Sequence, residues 1–415
     1  MDIKQFLDTS YTAYHATANA CQILSQNGFI QLNLQHGDGF RALKRGGKYF
    51  VTRNGSSVIA FVVGSSNTFN ICECHTDSPS FKVKGGKLIE SEGVKRLNTE
   101  KYGGSLMYSF LDRPLKVAGR VLVETATGVE QRLVASDYNL VIPSLCVHHN
   151  PTANDSLSLN PQVDTLPLYS QSDADLYATL TEGKVLDADL FVVPATCAFS
   201  SGAKGEFLSS ARLDNLTSVY TCINGIVNAT PTGIAIVACL DNEEVGSGTR
   251  QGSPNFVKQV LDCIAESCGM SQADKLAACE TGMVLSVDNG HAVHPAHPEK
   301  SDLTSKTHLN GGVVIKHHVN YATDGMTSAV FKKLLIANGI PYQDYYNRSD
   351  VRCGTTLGLA TASAVGIKVC DIGIAQLAMH SACETCGRAD IDAMEKALTA
   401  FLSATISGAE SVVVK

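Results

Sequence analysis

What the sequence lacks narrows its class first. No apolar run reaches the roughly 18 residues that a membrane-spanning helix needs, so a chain without membrane contact is expected. Basic residues are in deficit, 33 Lys and Arg against 40 Asp and Glu. The net charge of -7 and a pI near 5.9 leave no general footprint for nucleic acid. The few clustered cations, Lys82-Val83-Lys84 and residues 41–48, read as solvated faces. Residues 1–20 lack the continuous apolar block of an export signal; Ile3, Phe6, Leu7, Tyr11 and Tyr14 are spaced as in one amphipathic helix. Cys383-x-x-Cys386 has no second pair at zinc-ribbon spacing and reads as helical packing. The other cysteines are scattered, and Cys72, Cys74, Cys146, Cys239 and Cys370 lie inside apolar runs. They are expected to be reduced, buried small hydrophobes, which implies a cytoplasmic location. No internal repeat is visible.

What is present is organised around residues 238–247, ACLDNEEVGS. The apolar run 233–240 breaks into Asp241, Asn242, Glu243 and Glu244, then Gly246 and Gly248. A run this short between turn residues suits a buried strand. In an open α/β sheet the carboxyl end of such a strand lies at the rim where ligands bind. Two adjacent glutamates there repel each other unless a cation sits between them or one keeps a proton. Taken alone, a solvated acidic turn is the commoner explanation.

The pattern, however, recurs. Residues 69–74 end in His75-Thr76-Asp77, Met283–Val287 ends in Asp288-Asn289-Gly290, residues 368–377 lead into Met379-His380-Ser381, and Asp214 follows Ser210-Ala211-Arg212-Leu213. One sheet would bring these clusters together. Hard carboxylates mixed with imidazoles suit zinc, manganese or cobalt better than a thiolate-bound metal. A metal centre assembled from distant segments is therefore expected.

A chain of 415 residues, 44% of them hydrophobic, can bury a large core and hold two domains. In residues 31–63, Gly37, Gly39, Gly46, Gly47 and Gly55 punctuate short strand-like pieces. From residue 79 the texture becomes mainly β for over a hundred residues, with strand-length runs at Leu115–Glu124, 131–134 and 190–193. After Gly205 strands and helices alternate, with helices expected at 213–226, 255–266, 327–338, 355–365 and 391–406. The economical architecture is one α/β domain split by a β insertion.

The motifs, in order, resemble the aspartyl aminopeptidases, a branch of the dinuclear metallo-aminopeptidases. They are His75-Thr76-Asp77-Ser78-Pro79, Tyr102-Gly103-Gly104, Leu111-Asp112-Arg113-Pro114-Leu115 with Val117-Ala118-Gly119-Arg120-Val121, and Arg212-Leu213-Asp214-Asn215. Asp241-Asn242-Glu243-Glu244-Val245-Gly246-Ser247, His291-Ala292-Val293-His294-Pro295, Cys353-Gly354-Thr355-Thr356 and Gln376-Leu377-Ala378-Met379-His380-Ser381 complete the set, which spans nearly the whole chain. The resemblance implies a zinc-exopeptidase-like mixed sheet flanked by helices in a catalytic domain (1–78 and 200–415), interrupted by a β-rich dimerisation domain (79–199). It also implies dimers assembled into a tetrahedral dodecamer.

Carried over by position, the resemblance makes His75, Asp214, Glu244, Asp288 and His380 the ligands of two divalent ions, zinc first, with cobalt or manganese as alternatives. Asp214 bridges them, and Glu243 is the general base acting on a bridging water. The charge count agrees, since three carboxylates and a hydroxide balance two divalent ions and leave Glu243 free. Asp77 is expected to accept the second ring N–H of His75. Lys316, in Val314-Ile315-Lys316, is the candidate partner of an N-terminal Asp or Glu side chain. His148, with His149 beside it, is the candidate that reaches a neighbouring subunit's active site.

The remaining histidines get plainer expectations: support behind the ligands for His291, His294 and His297, and pocket wall for His317 and His318. Gly354-Thr355-Thr356 reads as a helix start. The chain departs from the family at Asn289-Gly290, at 349–352 and at 317–320, on the substrate side, which leaves the preferred N-terminal residue open. A related carboxypeptidase or deacylase would need an arginine for a free carboxylate, and Arg348 or Arg352 is available. A non-enzymatic shell is disfavoured because base and ligands are all present.

Overall fold

The computed structural model describes residues 1–36, 38–407 and 413–414. Its centre is a nine-stranded mixed sheet in the order Ile30–Gln31, Lys48–Arg53, Ser57–Val63, Ile234–Leu240, Phe69–His75, Met283–Val287, Lys368–Gly373, Val313–His317 and Tyr342–Tyr346. Phe69–His75 and Ile234–Leu240 are buried along their whole length. They pair in parallel with each other, and Phe69–His75 also pairs in parallel with Met283–Val287. Parallel strands covered on both faces read as continuous apolar runs, which is why the expected strands stood out.

Alternation along Ile234–Leu240 divides the core. Ala235, Val237 and Cys239 pack with helices Ala13–Gln26, Leu213–Asn228, Gly325–Ala337 and Arg388–Ser403. Ile234, Ile236, Ala238 and Leu240 pack on the other face with Asn255–Ser267 and Leu357–Val365. Each fully buried Ile or Leu here contributes about 1.5–3 kcal/mol. The result is a sheet between two helical layers. Because Leu240 is in register with His75, the turns that follow both strands leave the sheet at the same edge.

A second, six-stranded antiparallel sheet is built from strands between Ser80 and Pro194, around its own core of Phe81, Phe110, Val117, Val121, Leu190 and Val192. A third sheet joins Phe199–Ser201, Phe207–Ser210, Glu384–Gly387, Ala375–Leu377 and Gly290–His291.

Several local expectations need correction. The N-terminal segment is two helices, Ile3–Thr9 and Ala13–Gln26; the first stops at Ser10, and Asn19 Nδ2 donates to Thr9 and Ser10 across the break. Residues 368–377 are two strands in different sheets. Cys383 and Cys386 lie at a strand, not in a helix, because Glu384–Gly387 pairs with Phe207–Ser210. Cys146 is exposed, since the chain beyond Val141 leaves the sheet. Helix Gln272–Thr281, closed by a Ser271/Asp274 capping box, was not expected; its weakly apolar face gives little periodicity. Gly37 lies outside the described residues.

Candidate metal centre

The rim of the large sheet opens into a cavity of about 510 Å³. Ligand atoms of His75, Asp214 and Asp288 lie within 4.8 Å of one another, and so do those of Asp214, Glu244 and His380. Asp214 belongs to both groups. His75, Glu243 and Glu244 form a third such group.

Local structure explains each position. His75 ends its strand, and its ring Nε2 is 3.4 Å from Asp214 Oδ1 and 3.6 Å from Asp288 Oδ1. Asp214 and Asn215 depart from helical dihedrals at the start of Leu213–Asn228, so the carboxylate turns off the helix. His380 sits at φ 65°, with Nε2 3.3 Å from Asp214 Oδ2 and 3.5 Å from Glu244 Oε1. Its Nδ1 is 3.2 Å from the Gly104 carbonyl, and a Cβ on Gly104 would stand 3.0 Å from that nitrogen, so any larger residue there would press the imidazole aside by a few tenths of an ångström. Glu243 and Glu244 open a short 3-10 turn after Asn242, which holds φ 61°.

Asp77 has a wider role than expected. His75 Nδ1 lies 3.0 Å from the Asp77 carbonyl and 3.4 Å from its Oδ1. The carboxylate accepts the backbone N–H groups of Glu243 and Glu244, each at 3.1 Å, and the Tyr102 hydroxyl at 2.8 Å. Two free N–H groups at the start of a helical turn are natural carboxylate partners, so Asp77 anchors the turn that carries both glutamates.

Glu384 escaped the sequence reading. Its buried carboxylate accepts the backbone N–H of His380 at 2.6 Å and of Asp214 at 3.0 Å. Its spacing of four from His380 was the only available hint. Tyr102 was noticed only as part of a motif; its hydroxyl links Asp77 to Asn242.

The electrostatics are those of crowded acids. Burial, then Asp214, pushes Glu244 well above the usual carboxylate range, and burial, then Asp288 and Asp77 against an opposing His75, lifts Glu243 to about 7. Burial acts to lower His75 and His380, but their carboxylate neighbours win: His75 rises well above its ordinary value and His380 to about 10. Asp214 goes the other way, since the two imidazoles outweigh its burial and hold it below the usual range. Asp214 Oδ1 is buried and receives no hydrogen bond from the described residues. Converging carboxylates and imidazoles with an unsatisfied buried oxygen fit a divalent cation with N and O ligands, such as zinc.

Of the other expected residues, Lys316 lines the cavity, 2% exposed, with Nζ 3.6 Å from Asp288 Oδ2. Asn289 turns inward and donates to the Leu213 carbonyl and to Gln376. Gly354, Thr355 and Thr356 line the cavity, and Thr356 is also the N-cap of Leu357–Val365. His291 borders the cavity, whereas His294 and His297 do not. His317 and His318 are not in its wall; His317 pairs with Asp344 at 2.8 Å and stacks on Tyr346. His148 and His149 are exposed and do not line the cavity of their own chain.

The chain is similar over nearly its whole length to known proteins. The chain is 37% identical over 420 residues to a probable M18 family aminopeptidase 2 of Clostridium acetobutylicum, covering 95% of this chain and 96% of that one. It is 36% identical over 419 residues to the protein of the same description from Pseudomonas savastanoi pv. phaseolicola, again covering 95% and 96%. Among solved structures, that of the Ape4 and Nbr1 complex superposes with a TM-score of 0.90 at 30% identity, covering 96% of this chain and 84% of that one. The M18 aminopeptidase from Thermotoga maritima shares the fold, with a TM-score of 0.85 at 22% identity over 96% and 94% of the two chains. The aminopeptidase I zinc metalloprotease family matches residues 6–402. With that match on top of the clustered carboxylates and imidazoles, the chain belongs to the M18 family of zinc metallo-aminopeptidases.

Proposed function

We propose that the protein is a two-metal aminopeptidase that removes N-terminal Asp or Glu from peptides. The observation that carries this reading is the sharing of Asp214 between two groups of potential ligands. His75, Asp214 and Asp288 would hold one ion, and Asp214, Glu244 and His380 the other. When bound, two divalent ions supply Lewis acidity toward the scissile carbonyl and lower the pKa of water.

The chain's own residues supply the rest. Glu243 accepts the proton of the attacking water and returns it to the leaving amine. Its carboxylate makes no hydrogen bond to another described residue, which leaves it available for that transfer. Asp77 and Tyr102 hold the backbone of the Glu243 turn, and Glu384 holds that of Asp214 and His380. Lys316, on the cavity wall beside Asp288, faces the substrate's acidic side chain.

The same reading includes two domains, 1–78 with 200–415 and 79–199, and assembly of identical chains through the β-rich part into a tetrahedral dodecamer. Exposed Leu145, Val147, Leu157 and Val163, in the stretch that carries His148, support an interface there. A yeast relative with a TM-score of 0.82 has been solved as a dodecamer. In the assembly His148 reaches a neighbouring active site. Fourteen free thiols fit a reducing, cytoplasmic setting.

The test is hydrolysis of a panel of peptides differing only in the N-terminal residue, by metal-loaded protein and by Lys316→Ala. A preference for Asp and Glu that the substitution erases is expected. An unchanged preference removes Lys316 from the role, and equal cleavage of neutral and acidic residues by the wild type removes the specificity.

A further inference from the structure

Two cationic side chains, Lys316 and Arg352, line the catalytic cavity, and they are held differently. Lys316 is buried, with Asp288 at 3.6 Å and the Tyr321 ring centre at 5.6 Å. Arg352 is exposed, on the loop between Tyr342–Tyr346 and Leu357–Val365. Nearby Arg348 is fully engaged: Nε and Nη2 donate to the Asp350 carboxylate at 2.6 and 3.1 Å, and Nη1 donates to the Glu299 carbonyl. Arg352 makes no hydrogen bond or ion pair with any described residue. Folding therefore gives no account of it.

Its place suggests one. A peptide entering this cavity amino end first puts its first residue at the closed end, beside Lys316 and the acidic cluster, and the rest of the chain runs out through the mouth. A guanidinium at that mouth meets the part of the substrate beyond the scissile bond. Its planar fork suits a carboxylate. Resting on the aminopeptidase reading above, we infer that Arg352 binds a carboxylate on the leaving side of the scissile bond. That carboxylate is supplied by the free C-terminus of a dipeptide or by an Asp or Glu side chain at the second position. The enzyme then favours short peptides, or peptides acidic at the second residue, through KM.

The test uses full-length, metal-loaded wild type, Arg352→Gln and Arg352→Lys, with three substrates sharing the N-terminal residue the wild type cleaves best. They are a dipeptide with free carboxyl and alanine second, the same dipeptide as its amide, and a dipeptide amide with aspartate second. Arg352→Gln is expected to raise the KM of an acidic substrate relative to the neutral amide by about two- to fivefold, the scale of an exposed ion pair, with kcat nearly constant. Arg352→Lys should recover part of the loss. An effect on the free dipeptide alone identifies the C-terminal carboxylate, and one on the aspartate amide alone identifies the side chain. Equal changes in all three substrates, or none, overturn the inference. A wild type that cleaves no peptide overturns the hydrolase reading first, and the inference with it.

Discussion

Asp77 stands between two cavities whose charges are settled in different ways. Behind it, where the N-terminal helices meet the six-stranded sheet, a cavity of about 300 Å³ is lined by Asp77, Asp189 and Asp241 and by Lys82, Arg120 and Arg212. Asp189 there accepts Arg120 Nε at 2.9 Å and the Tyr14 hydroxyl at 3.1 Å, with Lys82 at 3.5 Å. In front of it, Asp214, Glu243, Glu244 and Asp288 face, among the described residues, only Lys316 and Arg352 as fixed cations. Three acids against three cations balance in number, with Asp189 the acid that is paired directly. Four acids against two, one of them at the mouth, make a site that calls for added positive charge. The same residue types thus serve packing on one side and chemistry on the other, and the count of partners tells them apart.

Substitutions should separate the two sides. The largest effect is expected from Asp214→Asn, since Asp214 belongs to both groups of proposed ligands. Bound metal, read by elemental analysis, should fall sharply and activity should drop to background; retained metal and turnover would refute the shared-ligand arrangement. Glu243→Gln comes next. It should lower kcat by about 10³-fold while metal content stays at the wild-type level, because in the proposed function the carboxylate acts on a proton and not on the ions.

Glu384→Gln should cost about 10- to 100-fold in metal affinity or activity, since an amide N–H₂ would now face one of the two backbone N–H groups that the carboxylate accepts. A metal titration that matched wild type would reduce Glu384 to ordinary packing.

On the other side of Asp77, Asp189→Asn should leave metal content intact and cost about 2 kcal/mol in denaturant unfolding, because it leaves the partly buried Arg120 without its charged hydrogen-bond acceptor. Burial would raise the Asp189 pKa, but Arg120 and Lys82 outweigh it and hold the pKa below its ordinary value. The stabilisation is therefore present above the unfolded pKa near 3.9 and lost as pH falls through the lower folded value. The stability gap between wild type and variant should narrow below about pH 4; a gap independent of pH would deny the ion pair its role. The smallest effect belongs to Gly290→Ala. A Cβ there would lie 3.6 Å from Lys316 Cε, an ordinary contact, so kcat/KM should change by less than about twofold.

Much of this is legible in the amino-acid sequence. The buried parallel strands announce themselves as apolar runs, and the clusters at His75, Asp241–Glu244 and Asp288 follow their runs directly; Asp214 and His380 come instead from segments beside strands of the third sheet, so two sheets, not the one expected, bring the clusters together. Motif order carried the family, which the match over residues 6–402 bears out. The N-terminal break at Ser10 and the strand at Glu384–Gly387 are not legible there, because a side-chain bond from Asn19 and pairing with Phe207–Ser210 decide them, and neither leaves a local period.

The sequence by itself determined the strands, the order of the motifs and the residue types that gather at the rim, since these rest on short-range patterns and chain-local chemistry. Only the tertiary structure decided that the Asp77 carboxylate grips the Glu243–Glu244 backbone, that Glu384 bridges Asp214 and His380, and that Arg348 is tied while Arg352 is not. A hydrogen bond between groups separated by 166 or 170 positions depends on where two distant strands end, and no local pattern records that.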